Sequence, residues 1–292
     1  MKHLRLLAAA LLAALPLPAC AAPAPQIALT FDDLPSHPPY PAGETPGSVV
    51  ASIMAALKQA RAPAFGFANA GKGRPDEREA VLAHWHAAGF ALGNHGYTHL
   101  DLDKVGADAF VAEIDRNRTA LAPYGMKPLL RYPFLAEGKD PAVRDAVRKA
   151  LAERGYRIAG VSLSFDDWAW NAPYARCAAQ GNAAAIADLE TRYLEAARSD
   201  AQAAREASKA RFGRDVPYVL LLHVGAFDAR MLPRLLALYR EMGFRFIPLE
   251  QAQRDKFYAA TDPAKPGPTP ALFRSKQLSP PDDEVCPAPQ RP

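Results

Sequence analysis

The chain has no long basic run and no patch in which basic and aromatic residues interleave. Its formal net charge is +4 over 292 residues, with both signs interspersed. A nucleic-acid partner is therefore not implied, because such a partner needs clustered Lys and Arg. No repeat of fixed period is present, which argues against a repeat architecture. Cysteine is scarce, at Cys20, Cys177 and Cys286 only. The N-terminal apolar stretch, Leu6 to Leu17, follows a positive start at Lys2, His3 and Arg5. It is too short to span a bilayer and reads as a secretory signal peptide over 1–21. Ala19-Cys20-Ala21 fits small-residue cleavage and soluble export to the periplasm or medium. Leu17-Pro18-Ala19-Cys20 also resembles a lipoprotein box, which would place a lipid anchor on Cys20; Pro18 is unusual there and favours soluble export. Removal of Cys20 with the leader leaves an even pair. Export permits disulfides, so a Cys177–Cys286 bridge is expected to staple the C-terminal tail to the body.

Beyond the leader, strand-like apolar runs alternate with amphipathic helical stretches. Strands are expected at Gln26–Phe31, Ala64–Ala68, Phe90–Gly93, Leu129–Arg131, Arg157–Ser162, Val219–His223 and Arg245–Pro248. Helices are expected at Ser48–Arg61, Pro75–Ala88, Ala107–Ala122, Pro141–Arg154 and Met231–Met242. This order predicts an α/β fold with parallel strands, either a barrel or a doubly wound sheet. Ala183–Phe212 is long, Ala-rich and charged. It reads as one or two inserted helices over the body, most simply a solvated spacer. The catalytic unit is expected to cover 22–255, with a Pro-rich extended tail over 256–292.

Five short segments at or just after these strands carry the chemistry: Thr30-Phe31-Asp32-Asp33, Asn94-His95-Gly96-Tyr97-Thr98-His99, Arg131-Tyr132-Pro133-Phe134, Asp166-Asp167-Trp168 and Leu221-Leu222-His223. Strand ends are where barrels and open α/β sheets build their sites. Neighbouring residues leaving a strand point in opposite directions, so one of Asp32 and Asp33 can bind a metal while the other faces water or substrate. Alone, paired Asp in a loop is more often a turn or a cap. His95 and His99 share a face if their segment is helical, although Gly96 argues for a tight turn instead. Neutral imidazoles with one carboxylate suit a divalent ion, Zn²⁺ before others. No Glu follows His95, so this is not the metalloprotease helix pattern. A buried Arg131 needs an anion, and Asp32 is the obvious one. Trp168 beside Asp167 suits the wall of a sugar or acyl pocket, with core packing as the plainer role. His223, ending the most apolar strand, is either a core residue or a poised acid.

In identity and order the five segments resemble the motifs of the polysaccharide deacetylase family, the family 4 carbohydrate esterases with a NodB-type domain. The resemblance runs from about Gln26 to about Gln253. It implies an irregular (β/α) barrel and metal-dependent removal of N- or O-acetyl groups from a glycan. It also implies roles: Asp32 as general base oriented by Arg131, Asp33, His95 and His99 as metal ligands, and His223 as general acid tuned by Asp167. Trp168 and Leu221 would line the acetyl pocket, and the Phe134 N–H would face the oxyanion. Two positions depart from the family. Leu34-Pro35 stands where Gly usually follows the paired Asp, and Phe134 stands where Tyr is common. Competing expectations are a hydrolase of the same scaffold acting on another C–N bond, and a catalytically silent carbohydrate-binding protein. A monomer is expected.

Overall fold

The strands β1 (Gln26–Leu34), β2 (Ala64–Ala68), β3 (Ala91–Asn94), β4 (Leu129–Leu130), β5 (Arg157–Ile158), β6 (Tyr218–His223) and β7 (Arg245–Phe246) form one sheet. They are seen in a computed structural model that describes residues 23–265, 269 and 285–287. The expected signal peptide, Cys20 and most of the tail lie outside the described residues. The strand order is β5-β4-β3-β2-β1-β6, with β7 added to β1, and all pairs are parallel. The chain leaving β5, at one end of this order, runs past β4 to β6 at the other end. Ala159 N–H donates to Leu130 of β4 at 2.7 Å, and Leu163 bridges Leu220 of β6. The sheet therefore curls into an irregular (β/α) barrel rather than staying open.

Helices α1 (Pro46–Ala60), α2 (Pro75–Ala87), α3 (Leu102–Leu121), α4 (Pro141–Glu153), α5 (Asn171–Ala179), α6 (Ala183–Phe212), α7 (Ala226–Glu241) and α8 (Leu249–Ala252) surround it. Parallel strands covered on both faces lose polar alternation, and β6 is buried from Tyr218 through Leu222. Helix α1 starts on a capping box: the Thr45 hydroxyl accepts from Ser48 N–H at 3.1 Å, and Ser48 Oγ accepts from Thr45 N–H at 2.9 Å. Its buried stripe, Val50, Ile53, Met54 and Leu57, is the one the sequence spacing predicts. Gly106 in α3 has φ 75°, so the regular helix begins at Ala107.

Four expectations change. Strand β1 continues through both aspartates to Leu34. Of the expected Arg157–Ser162 strand only Arg157 and Ile158 lie in the ladder with β4; after one further bond from Ala159 the chain crosses to β6. Helix α7 begins at Ala226, five residues before Met231, since Gly225 rather than Met231 ends the loop after His223. Finally, α6 is not a solvated spacer. Leu189, Tyr193, Ala196, Ala197, Ala201 and Ala204 are buried along one side, so it packs into the main core. Its small alanines let it lie close, and Tyr193 fills the space against Phe165, Trp170 and Phe227. The tail opens with a 3₁₀ turn at Lys256–Thr261, where buried Tyr258 hydroxyl donates to Pro217 carbonyl at 2.9 Å.

Candidate active site

The five segments converge at the C-terminal ends of the strands. A cavity of about 360 Å³ there is lined by Asp32, Asp33, His37, His95, His99, Phe134, Leu135, Asp166, Trp168, Leu221 and His223. Asp167 and Arg131 lie behind it, both fully buried. Several lining residues hold left-handed backbone: φ is 63° at Asp33, 66° at His99, 57° at Phe134 and 55° at Asp166. Non-glycine residues adopt that region at a cost, and such strain gathers at functional sites.

Asp32 and Asp33 separate as their chain position suggests. Asp32 stays in the ladder, where Arg131 Nη1 donates to its Oδ1 at 3.1 Å. The guanidinium is held on two further sides: Nε donates to Ala159 carbonyl at 2.7 Å and Nη2 to Thr30 Oγ1 at 3.3 Å. Its face lies 4.5 Å from the centre of the Phe67 ring. A buried cation so fixed holds Asp32 in one orientation. Asp33 turns away, with Oδ1 3.5 Å from His99 Nε2. Burial would raise its pKa, but the His37 hydrogen bond and the nearby His95, Lys72 and His99 draw it well below the usual carboxylate range.

His95 and His99 do not lie on a helix. Gly96, with φ 76°, and His99 reverse the chain, and the two rings meet edge to face with centroids 4.8 Å apart. Three buried asparagines hold this turn. Asn69 Nδ2 donates to the His95 and Gly96 carbonyls at 2.6 and 2.8 Å. Asn94 Oδ1 accepts from Gly96 N–H at 2.9 Å and from Asn117 Nδ2 at 2.7 Å. His95 Nδ1 sits 2.7 Å from the Arg131 carbonyl, which fixes the proton there and leaves the Nε2 lone pair facing the cavity. Burial lowers the pKa of His95, against the pull of Asp32 and Asp33. Burial and His95 push that of His99 down to about 3. Both rings are thus neutral, as ligation requires. One donor atom each from Asp33, His95 and His99 lies within 4.8 Å of the others. This set, with its oriented imidazole, fits a divalent metal bound by three protein ligands with room for further ones.

Across the cavity His223 is tied to Asp167. Its N–H donates to Asp167 Oδ2 at 2.6 Å, and its Nδ1 is 3.2 Å from both carboxylate oxygens. Burial would lower the His223 pKa, but Asp167, helped by Asp32 and Asp33, raises it to about 9. Trp168 is half exposed and Phe134 is 64% exposed, so neither packs in the core; Trp170, by contrast, does. Leu221 forms part of the cavity wall.

His37 and Lys72 were not marked by the sequence motifs. His37 Nδ1 is 2.8 Å from Asp33 Oδ2, and Lys72 Nζ is 3.0 Å from Asp33 Oδ1. The close fit of Gly71 beneath Tyr97 positions Lys72: a Cβ on Gly71 would lie 2.6 Å from the Tyr97 carbonyl oxygen. The Gly71 and Gly73 pair was the only signal in the sequence, and it marks a loop without naming its chemistry. Away from the cavity, Cys177 and Cys286 form a disulfide with Cα atoms 5.2 Å apart. Arg176 supports it by donating to the Cys286 carbonyl at 2.9 Å.

No curated protein matches the chain. Among solved structures it is similar to the chitin deacetylase of the fungal pathogen Colletotrichum lindemuthianum, at 19% identity over 80% of this chain and 88% of that one, with a TM-score of 0.55. It is also similar to the CE4 domain of a multidomain xylanase from the hindgut metagenome of Trinervitermes trinervoides, at 16% identity, 80% and 91% coverage and a TM-score of 0.52. A peptidoglycan deacetylase from Bacillus subtilis gives 16% identity, 79% and 91% coverage and a TM-score of 0.50. At these identities the likeness establishes the fold. Residues 20–159 match the family model described as polysaccharide deacetylase. In that matched segment, and in its irregular (β/α) barrel, the chain is similar to the polysaccharide deacetylase family.

Proposed function

We propose that the chain is an exported, metal-dependent hydrolase that removes acetyl groups from an N- or O-acetylated glycan. The observation that carries this is the meeting of three metal donors, Asp33, His95 and His99, with a fixed carboxylate and a carboxylate-backed imidazole around one cavity. The names of the similar structures, chitin deacetylase and peptidoglycan deacetylase, support a glycan substrate. The leader-like N-terminus and the Cys177–Cys286 disulfide support export. Among the described residues no helix is long and apolar enough to cross a membrane.

Asp33, His95 and His99 hold the ion, with Zn²⁺ the best match to two imidazoles and a carboxylate. Such an ion supplies Lewis acidity to the acetyl carbonyl and makes water a better proton donor. The rest is done by the chain. Asp32, oriented by Arg131, accepts the proton of the attacking water. Phe134 and Trp168 shape the rim, and Leu221 gives the acetyl methyl an apolar wall. His223, protonated through Asp167, gives its proton to the departing amine or alcohol. The proposed base is thus paired with a cation, Arg131, and the proposed acid with an anion, Asp167.

Acetate release from a panel of acetylated chitin, peptidoglycan, xylan and exopolysaccharide fragments, alongside metal analysis of the purified protein, tests this reading. Release of acetate that stops on chelation is expected. Intact glycan binding without acetate release would replace the enzyme with a binding protein.

A further inference from the structure

Asp33 turns its two carboxylate oxygens to different neighbours. Oδ1 is on the side of His99 Nε2, where the three donors converge. Oδ2 is 2.8 Å from His37 Nδ1. An ionised carboxylate can only accept, so the proton in that contact is carried by His37. The loop that delivers His37 follows Leu34-Pro35, one of the two positions at which this chain departs from the family pattern it resembles. The loop is held by backbone contacts rather than by the imidazole. His37 N–H donates to Tyr40 Oη at 2.9 Å, and its carbonyl accepts from Asn171 Nδ2 at 3.0 Å. Asn171 Nδ2 also donates to the Pro39 carbonyl at 2.8 Å. The His37 ring is thereby carried over Asp33 and into the cavity wall, with its centroid 5.0 Å from that of His223.

We propose that His37 is a positioning residue for the metal site, its Nδ1–H gripping Asp33 Oδ2 so that Oδ1 stays turned toward His95 and His99. This rests on the reading of those three residues as metal ligands. The physical reason is freedom of rotation. A carboxylate on a short side chain can present either oxygen, or neither, to an ion. A donor fixed on one oxygen selects one presentation before the ion arrives, which is how outer partners of ligands raise affinity. His37 also narrows the cavity beside His223.

The test is Zn²⁺ affinity of the full chain, measured by competition with a chelating dye, for the parent and for His37→Ala, His37→Phe and His37→Asn. Both His37→Ala and His37→Phe are expected to weaken Zn²⁺ binding by about 10- to 100-fold, since each removes the donor. His37→Asn places an amide N–H near the former Nδ1 and is expected to restore most of the loss. All three leave the backbone bonds of the loop in place. His37→Phe also keeps a ring in the wall, so it decides the matter should the Ala variant fail to fold. Parent-like affinity in His37→Phe overturns the proposal. An Asn variant as weak as the Phe variant also overturns it, because the imidazole would then act as a ligand itself. A parent that binds no Zn²⁺ removes the metal reading as a whole, an outcome distinct from either.

Discussion

Asp32 on β1 and His223 on β6 are register partners across two parallel strands. The proposed base and the proposed acid are therefore set by one hydrogen-bonded ladder, and their separation does not depend on loop motion. What differs is the partner behind each: Arg131 for Asp32 and Asp167 for His223. The opposite charges of those partners are what allow a base and an acid to coexist side by side.

The first expected outcome concerns pH. His223 must be protonated to act, and its pKa is raised to about 9, so the acetate-release rate is expected to hold through neutral pH and fall as pH rises through about 9. Asp167→Asn removes the anion responsible and is expected to move that limb toward lower pH. The same pair links stability to pH. The folded state binds this proton more tightly than the unfolded chain, whose His titrates at the ordinary value of 6.5. The pair's contribution is complete below about 6.5 and is lost as pH climbs through about 9. Denaturant titrations across that window are expected to show stability falling with pH in the parent and a flatter dependence in Asp167→Asn.

Asp32→Asn separates the proposed base from the proposed metal site. Asp33, His95 and His99 are untouched, so metal content is expected to stay at the parent level. Acetate release is expected to fall about a hundredfold or more, the usual worth of a positioned proton-transfer group. Parallel metal analysis and kinetics check this; full activity in the variant contradicts the assigned role.

His95→Ala removes a proposed ligand whose buried ring lies near Asp32 and Asp33. Loss of bound metal and of activity together is expected. Because the Asn69 and Asn94 contacts go to the backbone of residues 95 and 96, the turn itself is expected to survive. Metal stoichiometry and circular dichroism of the variant measure the two halves of this statement.

Much of the site was legible because its residues are rare types at strand ends. Asp32-Asp33, His95, His99, Arg131, Asp167 and His223 stand out against apolar strands, and alternating strand and helix patterns place those ends together. The turn that joins His95 to His99 was less legible. Spacing of four suggests a helix, and only Gly96 hinted that left-handed backbone would bring the rings together instead. His37 and Lys72 were not legible, since each reaches Asp33 from a loop whose path depends on distant contacts with Asn171 and Tyr97. Buried Asn69, Asn94 and Asn117 look like ordinary polar residues in sequence, and only the folded chain shows that Asn69 and Asn94 bond the backbone of residues 95 and 96 while Asn117 holds Asn94 and the Ala68 carbonyl.

Helix α6 was misjudged for a related reason: alanine is ambiguous between a solvated helix and a closely packed one. Its burial makes a quantitative expectation available. Leu189 is fully buried, so Leu189→Ala is expected to cost about 2–5 kcal/mol, as for other large-to-small core changes. Replacement of exposed Glu195 on the same helix is expected to stay within about 0.5 kcal/mol. Equal effects at the two positions, measured by denaturant unfolding, would restore the spacer reading.

The disulfide sets the last expectation. Cys177 is on α5, directly after the 3₁₀ turn that carries Asp167, and Cys286 lies 109 residues further along. Cross-linking such a distant pair restricts the unfolded chain strongly, and removing a bridge of this kind costs about 2–5 kcal/mol. The double variant Cys177→Ser, Cys286→Ser is therefore expected to unfold at lower denaturant than the parent. Its acetate-release rate under native conditions is expected to remain, because Asp167 is held independently by the His223 N–H at 2.6 Å. Non-reducing peptide mapping of the parent establishes the bridge, and unfolding curves of parent and variant measure its worth. Loss of activity at unchanged stability would instead mean that the pinned tail supports the catalytic turn directly.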